Sequence, residues 1–191
     1  MRVFARKGYH VARVGDIAAE AGVAHGLLYH YFSSKEELLE TIFRDTWRGL
    51  LLALEQVEHD VRPSGEQLRQ VAAILLRSWR RDPDLVRVLV LEVARSPQLA
   101  ARVDEFAEAF GALERIVARG QRAGELRADV DARLAGWIVY GALEEILTGW
   151  VLGTLPGDDD AVAEAERTIV DVLSGGLAAR QTAAQGARAK S

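Results

Sequence analysis

The side chains here that could do chemistry on their own are four histidines and the adjacent glutamates of the apolar stretch, Glu144 and Glu145, in a chain without cysteine. His25 and His30 are five residues apart. On a helix they leave different faces, whereas a zinc pair needs a spacing of about four. Glu144 and Glu145 are neighbours, so their carboxylates diverge by roughly 100° and make a poor acid–base pair. The lack of cysteine removes disulfides, thiolate metal sites and a thiol nucleophile. It also suits a reducing cytoplasm, the expected location. There is no glycine-rich phosphate loop and no serine nucleophile with a plausible base. These patterns point away from an enzyme: catalytic residues, metal and cofactor are all expected to be none.

The chemistry that remains is recognition. The formal net charge is −4, but residues 1–35 hold five cations (Arg2, Arg6, Lys7, Arg13, Lys35) against Asp16 and Glu20, a net of +3. His10, His25 and His30 also fall there. A basic head on an acidic body is the footprint of a chain that meets a polyanion at one end.

The elements that position these residues are helical throughout. From Leu39, apolar residues recur at Phe43, Trp47, Leu50, Leu54 and Val57, and from Leu99 at Val103, Phe106, Phe110, Leu113 and Val117. Both ladders mark one face of a helix, and no segment alternates long enough to be a strand. Capping boxes are expected at Ser34–Glu37 and Ser64–Gln67. N-caps are expected at Asp82-Pro83 and Ser96-Pro97. Gly120 and Gly124 are expected to end one helix, and Gly153 the apolar helix that follows Asp131. That apolar stretch, Leu134 to Leu155, carries Glu144 and Glu145, so it reads as a buried helix rather than a membrane span. Within the head, Val14–Ala21 and His25–Tyr31 read as two short helices around Gly22. This layout holds a helix out to enter a DNA major groove roughly 12 Å wide.

Phe4-Ala5, Gly8-Tyr9, Val14, Asp16-Ile17-Ala18, Ala21-Gly22-Val23, Gly26, Leu28-Tyr29-His30-Tyr31-Phe32, Lys35 and Leu38-Leu39 resemble the DNA-binding domain of the TetR family. The resemblance implies an all-α fold of about nine helices. A helix-turn-helix domain would occupy 1–46 and a ligand-binding and dimerisation domain 47–177; the tail at 178–191 is expected to be disordered from its own composition, rich in Ala, Gln and Arg. It implies that His25, Gly26 and Leu27 stand at the reading end of the second motif helix. Tyr29 and His30 would face DNA, Arg13 and Lys35 would meet phosphates, and Tyr31 and Phe32 would anchor the core. The chain departs from the family at Ala12 and Ala24, where a hydroxyl is usual. The family's first helix also has about two more turns before Arg2, so a chain extended upstream is expected to bind DNA more tightly.

In the body, Trp137, Tyr140, Glu144, Leu147 and Val151 share a bulky stripe expected to face the interior. Trp79, Phe106 and Phe110 are expected in the same cavity, with Glu92 and Arg95 as polar partners. Ile138, Ala142, Glu145, Gly149 and Gly153 form a smaller stripe, expected to join Val162, Ala165, Ile169, Val172 and Leu173 in a homodimer seam. Gly141–Leu152 resembles the same helix in family members that regulate fatty-acid degradation, which implies a fatty acyl-CoA effector. The expected function is a ligand-responsive repressor that binds a palindromic double-stranded DNA operator. The alternatives are a drug- or metabolite-responsive repressor, or a helical binding protein with a vestigial DNA head.

Overall fold

A computed structural model describes residues 1–92 and 103–178. Nine helices run through them: α1 Arg2–Lys7, α2 Val14–Ala21, α3 His25–Tyr31, α4 Lys35–Glu58, α5 Ser64–Arg81, α6 Pro83–Glu92, α7 Val103–Arg122, α8 Ala132–Leu152 and α9 Asp159–Leu177. No strand occurs among the described residues. One isolated bridge, Leu126 to Ala178, ties the α7–α8 connection to the end of α9. Arg95, the Ser96-Pro97 cap, Leu99 and the tail from residue 179 lie outside the described residues.

Helix starts follow local chemistry. Asp82, Asp131 and Asp158 accept from the N–H groups of Leu85, Leu134 and Ala161 at 2.9, 2.8 and 2.9 Å. Ser34 Oγ accepts from Glu37 N at 3.1 Å, while the Glu37 carboxylate turns back to Ser33 N and Oγ at 2.7 and 2.6 Å. Each such cap stabilises its helix by about 1 kcal/mol. The box expected at Ser64 does not form. Ser64 is the first residue of α5, is buried, and donates its N–H to the Glu125 carboxylate at 2.6 Å. The cause is non-local: α7 crosses here with Gly120 facing Ser64, and a Cβ at Gly120 would lie 2.7 Å from Ser64 Cβ. Gly120 is thus a crossing point inside α7, and Gly124 alone follows the helix end.

The body core gathers Leu76, Leu113, Ile116, Val139, Leu143 and Val162, all almost fully buried. Buried Gln67 is fully used: Nε2 donates to the Val57 and Asp60 carbonyls at 2.9 and 2.7 Å, and Oε1 accepts from Arg119 at 2.6 Å. It thereby closes the α4–α5 turn and links it to α7. Glu58 pairs with Arg115 at 2.6 Å and Glu166 with Arg77 at 2.8 Å, joining α4 to α7 and α5 to α9.

The orientation of α8 differs from expectation. Its buried stripe is Ala135, Val139, Leu143, Leu147 and Trp150, while Trp137 is 51% exposed and Glu144 is also exposed. Close approach to α7 sets this rotation. A Cβ at Gly136 would meet Leu113 Cβ and Glu114 N at 3.2 Å, so the helix turns its glycine to α7 and carries Val139 and Leu143 inward. The small stripe shifts too. Gly149 is buried under Leu155, and Val162 and Ile169 of α9 belong to the core. The apolar face left to solvent is Leu134, Trp137, Ile138, Leu152 and Leu155, with Val172 of α9. No helix among the described residues is long and apolar enough to cross a membrane.

Candidate nucleic-acid interface

The turn between α2 and α3 is built on Gly22, at φ 68° and ψ 26°. That left-handed conformation disfavours any Cβ, so glycine ends the helix where the chain must reverse. The helix it launches, α3, buries none of its residues. Leu28 is half-buried, and Phe32, just past the helix end, packs on the head's own core. Tyr31, expected to join Phe32 as an anchor, is 67% exposed. A two-turn helix has one inward line, which Leu28 and Phe32 occupy four residues apart; Tyr31 falls about 100° away.

The predicted reading residues come together on this helix. The His25 ring lies against α2, with Cδ2 3.5 Å from where a Gly15 Cβ would stand, and it meets Tyr29 edge-on at 5.1 Å. His30 meets Tyr31 edge-on at 5.3 Å. Leu27 and Tyr29 are about half exposed, and the space over Gly26 is open. Arg13 precedes α2, its N–H donating to Asp16 Oδ2 at 3.2 Å and its side chain exposed.

Most of the head's cations are spent internally. Arg6 and Arg2 hold Glu20 at 2.6 and 3.3 Å, and Lys7 holds Asp16 at 2.9 Å. The Lys7 hydrogen bond keeps the Asp16 carboxyl below the usual carboxylate range, and Arg6 does the same for Glu20. Lys35, expected on a phosphate, donates to the carbonyls of Tyr9, Ala12 and His10 at 2.7, 3.2 and 3.3 Å. Its ammonium also lies 4.5 Å from the Tyr9 ring centroid. An ammonium has three donors, and all three close the α1–α2 loop.

The head does not stand alone. Val3, Phe4, Ala12, Leu38 and Leu39 share a buried cluster with Val88 of α6. Two positions earlier, Val86 lies in the body core. Sequence reasoning missed this bridge, although the near-continuous apolar run of α6 signals burial on two sides. It also missed Arg87, whose Nε is buried with no hydrogen-bond partner among the described residues.

The single aromatic cavity expected in the body is divided. Trp79 Nε1 donates to Gly157 O at 2.9 Å, and its ring lies 6.0 Å from Trp150, so it pins the α8–α9 turn. Phe110 stacks on Trp137 at 4.0 Å and meets Tyr140 edge-on at 4.8 Å. Thirteen residues of helix, roughly 20 Å, separate Trp137 from Trp150. Burial pushes the Tyr140 phenol well up, with nearby Glu144 adding to it. Desolvation, then the adjacent Glu145, raises the Glu144 carboxyl. The side chains of Glu92 and Phe106 lie outside the description. A separate open cleft of about 270 Å³ between α4 and α7 is polar, lined by Glu55, Glu58, His59, Glu108 and Arg115. No group of three metal-ligating side chains occurs among the described residues.

Two family models match the chain. Residues 1–42 match "Bacterial regulatory proteins, tetR family" and residues 48–170 match "YsiA-like protein, C-terminal region". The "Fatty acid metabolism regulator protein" of Bacillus subtilis is 28% identical over 182 residues, covering 93% of this chain and 91% of that protein. The crystal structure of the transcriptional regulator FadR from Bacillus subtilis, in complex with stearoyl-CoA, superposes with a TM-score of 0.78 at 28% identity, over 92% of this chain and 94% of that one. The fatty acid degradation regulator FadR from Bacillus halodurans gives the same TM-score of 0.78, identity of 28% and coverage of 92% and 94%.

Proposed function

Because the chain belongs to the tetR family of bacterial regulatory proteins, with a C-terminal region of the YsiA-like kind, we propose that it is a homodimeric repressor that a fatty acyl-CoA releases from its operator. The observation that carries this reading is where most of the exposed apolar side chains fall, Val11, Leu52 and Val61 lying apart from the two sets. Leu27, Tyr29 and Tyr31 are exposed on α3, and Leu134, Trp137, Ile138, Leu152, Leu155 and Val172 on α8, its following turn and α9. The first set offers a protruding helix to a groove. The second offers a self-complementary face for a twofold partner.

In this reading residues 1–46 are the reading head and 47–177 the sensing and pairing body. Two heads spaced about 34–36 Å apart meet successive major grooves, so the operator is a near-palindrome. Arg13, His25, Tyr29 and His30 touch the duplex, Gly26 and Leu27 approach base edges, and Lys35 holds the loop beneath them. The protein works where bacterial DNA lies, in the cytoplasm.

The acyl chain is placed beside Phe110 and Tyr140, with Glu92, Arg95 and Phe106 as the proposed further contacts. Similarity to the regulator crystallised with stearoyl-CoA supports the effector class. The Phe110–Trp137–Tyr140 cluster favours one competitor, an aromatic metabolite. Helix α6 transmits either signal, since it packs on α8 and reaches the head through Val88. A ligand that prefers one position of α6 shifts the two heads, and it weakens DNA binding only by its differential affinity, about 1–3 kcal/mol.

Enrichment of genomic fragments by the purified chain tests the DNA half, with recovery of a palindrome expected. Titration calorimetry with lauroyl-, palmitoyl- and stearoyl-CoA tests the ligand half. Heat with the long chains and release of the recovered duplex are expected. Silence with every acyl-CoA removes that effector class while leaving the regulator reading intact.

A further inference from the structure

We propose that duplex binding by this chain takes up protons at His25 and His30, so that acidification tightens it; the inference rests on α3 being the DNA-reading helix. Helix α3, His25–Tyr31, contains no lysine or arginine. Its two histidines are its only side chains that can become cationic, and both are exposed. The permanent cations around it are committed: Arg2 and Arg6 to Glu20, Lys7 to Asp16, and Lys35 to three carbonyls. Arg13 is exposed, and its charge helps to hold the Asp16 carboxyl down. A DNA reader draws its affinity from phosphate neutralisation, and this head holds few fixed charges for it.

The surroundings of the two imidazoles favour a phosphate as their counter-ion. On α3 itself His25 and His30 meet only the rings of Tyr29 and Tyr31. The adjoining α2 carries Asp16 and Glu20, the loop before it His10 and Arg13, and the start of α4 Lys35, Glu36 and Glu37. Every carboxylate in that set has its own partner. Asp16 has Lys7 and the Arg13 N–H, Glu20 has Arg6 and Arg2, Glu36 has the Tyr9 hydroxyl, and Glu37 has Ser33. The duplex therefore brings the first unpaired anion to either ring. A phosphate beside an imidazole favours its protonated form, so binding takes up protons, and by linkage added protons strengthen binding. The signal then read at the operator is a product of effector and pH.

The test is fluorescence anisotropy of the full chain with a labelled mixed-sequence duplex of about 30 base pairs, over a salt series at about pH 6 and pH 8. Expected is an affinity about tenfold tighter at the lower pH, with a salt slope steeper by about 0.9 for each imidazolium on a phosphate. The variant H25Q/H30Q is expected to lose the pH effect, and H25K/H30K to bind at the higher pH as the natural chain does at the lower. Affinity and slope that do not change with pH overturn the inference, as does an unchanged pH effect in a folded H25Q/H30Q. No binding at either pH and low salt defeats instead the reading of α3 as a DNA helix.

Discussion

Lys35 shows how a residue expected at a phosphate can also serve the fold. With its ammonium shared among the carbonyls of Tyr9, His10 and Ala12, it fixes the loop that sets the angle between α1 and α2. Hydrogen bonds to a charged group contribute about 1.5–3 kcal/mol, so Lys35→Met is expected to destabilise the chain by about 2 kcal/mol. Its salt slope of DNA binding should stay as in the natural chain. Arg13→Ala should do the reverse, leaving chemical denaturation unchanged and lowering the slope by about 0.9. Denaturant titration and salt-dependent anisotropy separate the two. Nothing near Lys35 in the chain announces this role, because its partners lie 23 to 26 residues away. The helix that carries His25, Tyr29 and His30 was legible, since the turn at Gly22 and the residues after it are local in sequence.

At the scale of elements the same division holds. The caps at Ser34, Asp82 and Asp131 and the stop at Gly22 follow from residues within four positions, and each forms. The rotation of α8 does not, since the contact of Gly136 with Leu113 and Glu114 decides it. An almost wholly apolar helix offers several equivalent stripes, and periodicity cannot choose among them. Leu143→Ala is therefore expected to cost about 2–5 kcal/mol in thermal or chemical unfolding. Trp137→Ala should cost far less there and act on assembly. The α4–α7 pair adds a pH signature. Glu58 is held below the ordinary carboxylate range, first by the Arg115 hydrogen bond. Its folded value lies under its unfolded one, so its contribution is fully present above the unfolded value and is lost as pH falls through the folded value. Glu58→Gln should flatten the acid limb of a stability–pH profile and leave the neutral plateau lower but level.

For the whole molecule, the exposed apolar face of α8 and α9 sets the prediction. Ile138, 66% exposed, is the position where a charge costs the monomer least and the pair most. Ile138→Glu is expected to give a folded monomer by sedimentation, with operator affinity reduced by two orders of magnitude or more, since the second half-site no longer contributes through a tethered head. A dimer that survives this change moves the seam elsewhere. The two ends of the molecule also differ in how freely they can vary. Because α3 fully buries none of its side chains, its sequence outside half-buried Leu28 is little constrained by folding, and surface changes there fall within about 0.5 kcal/mol. The scaffold can persist while the text it recognises is rewritten, so descendants of one such chain can acquire new target genes by point mutation without passing through an unstable intermediate.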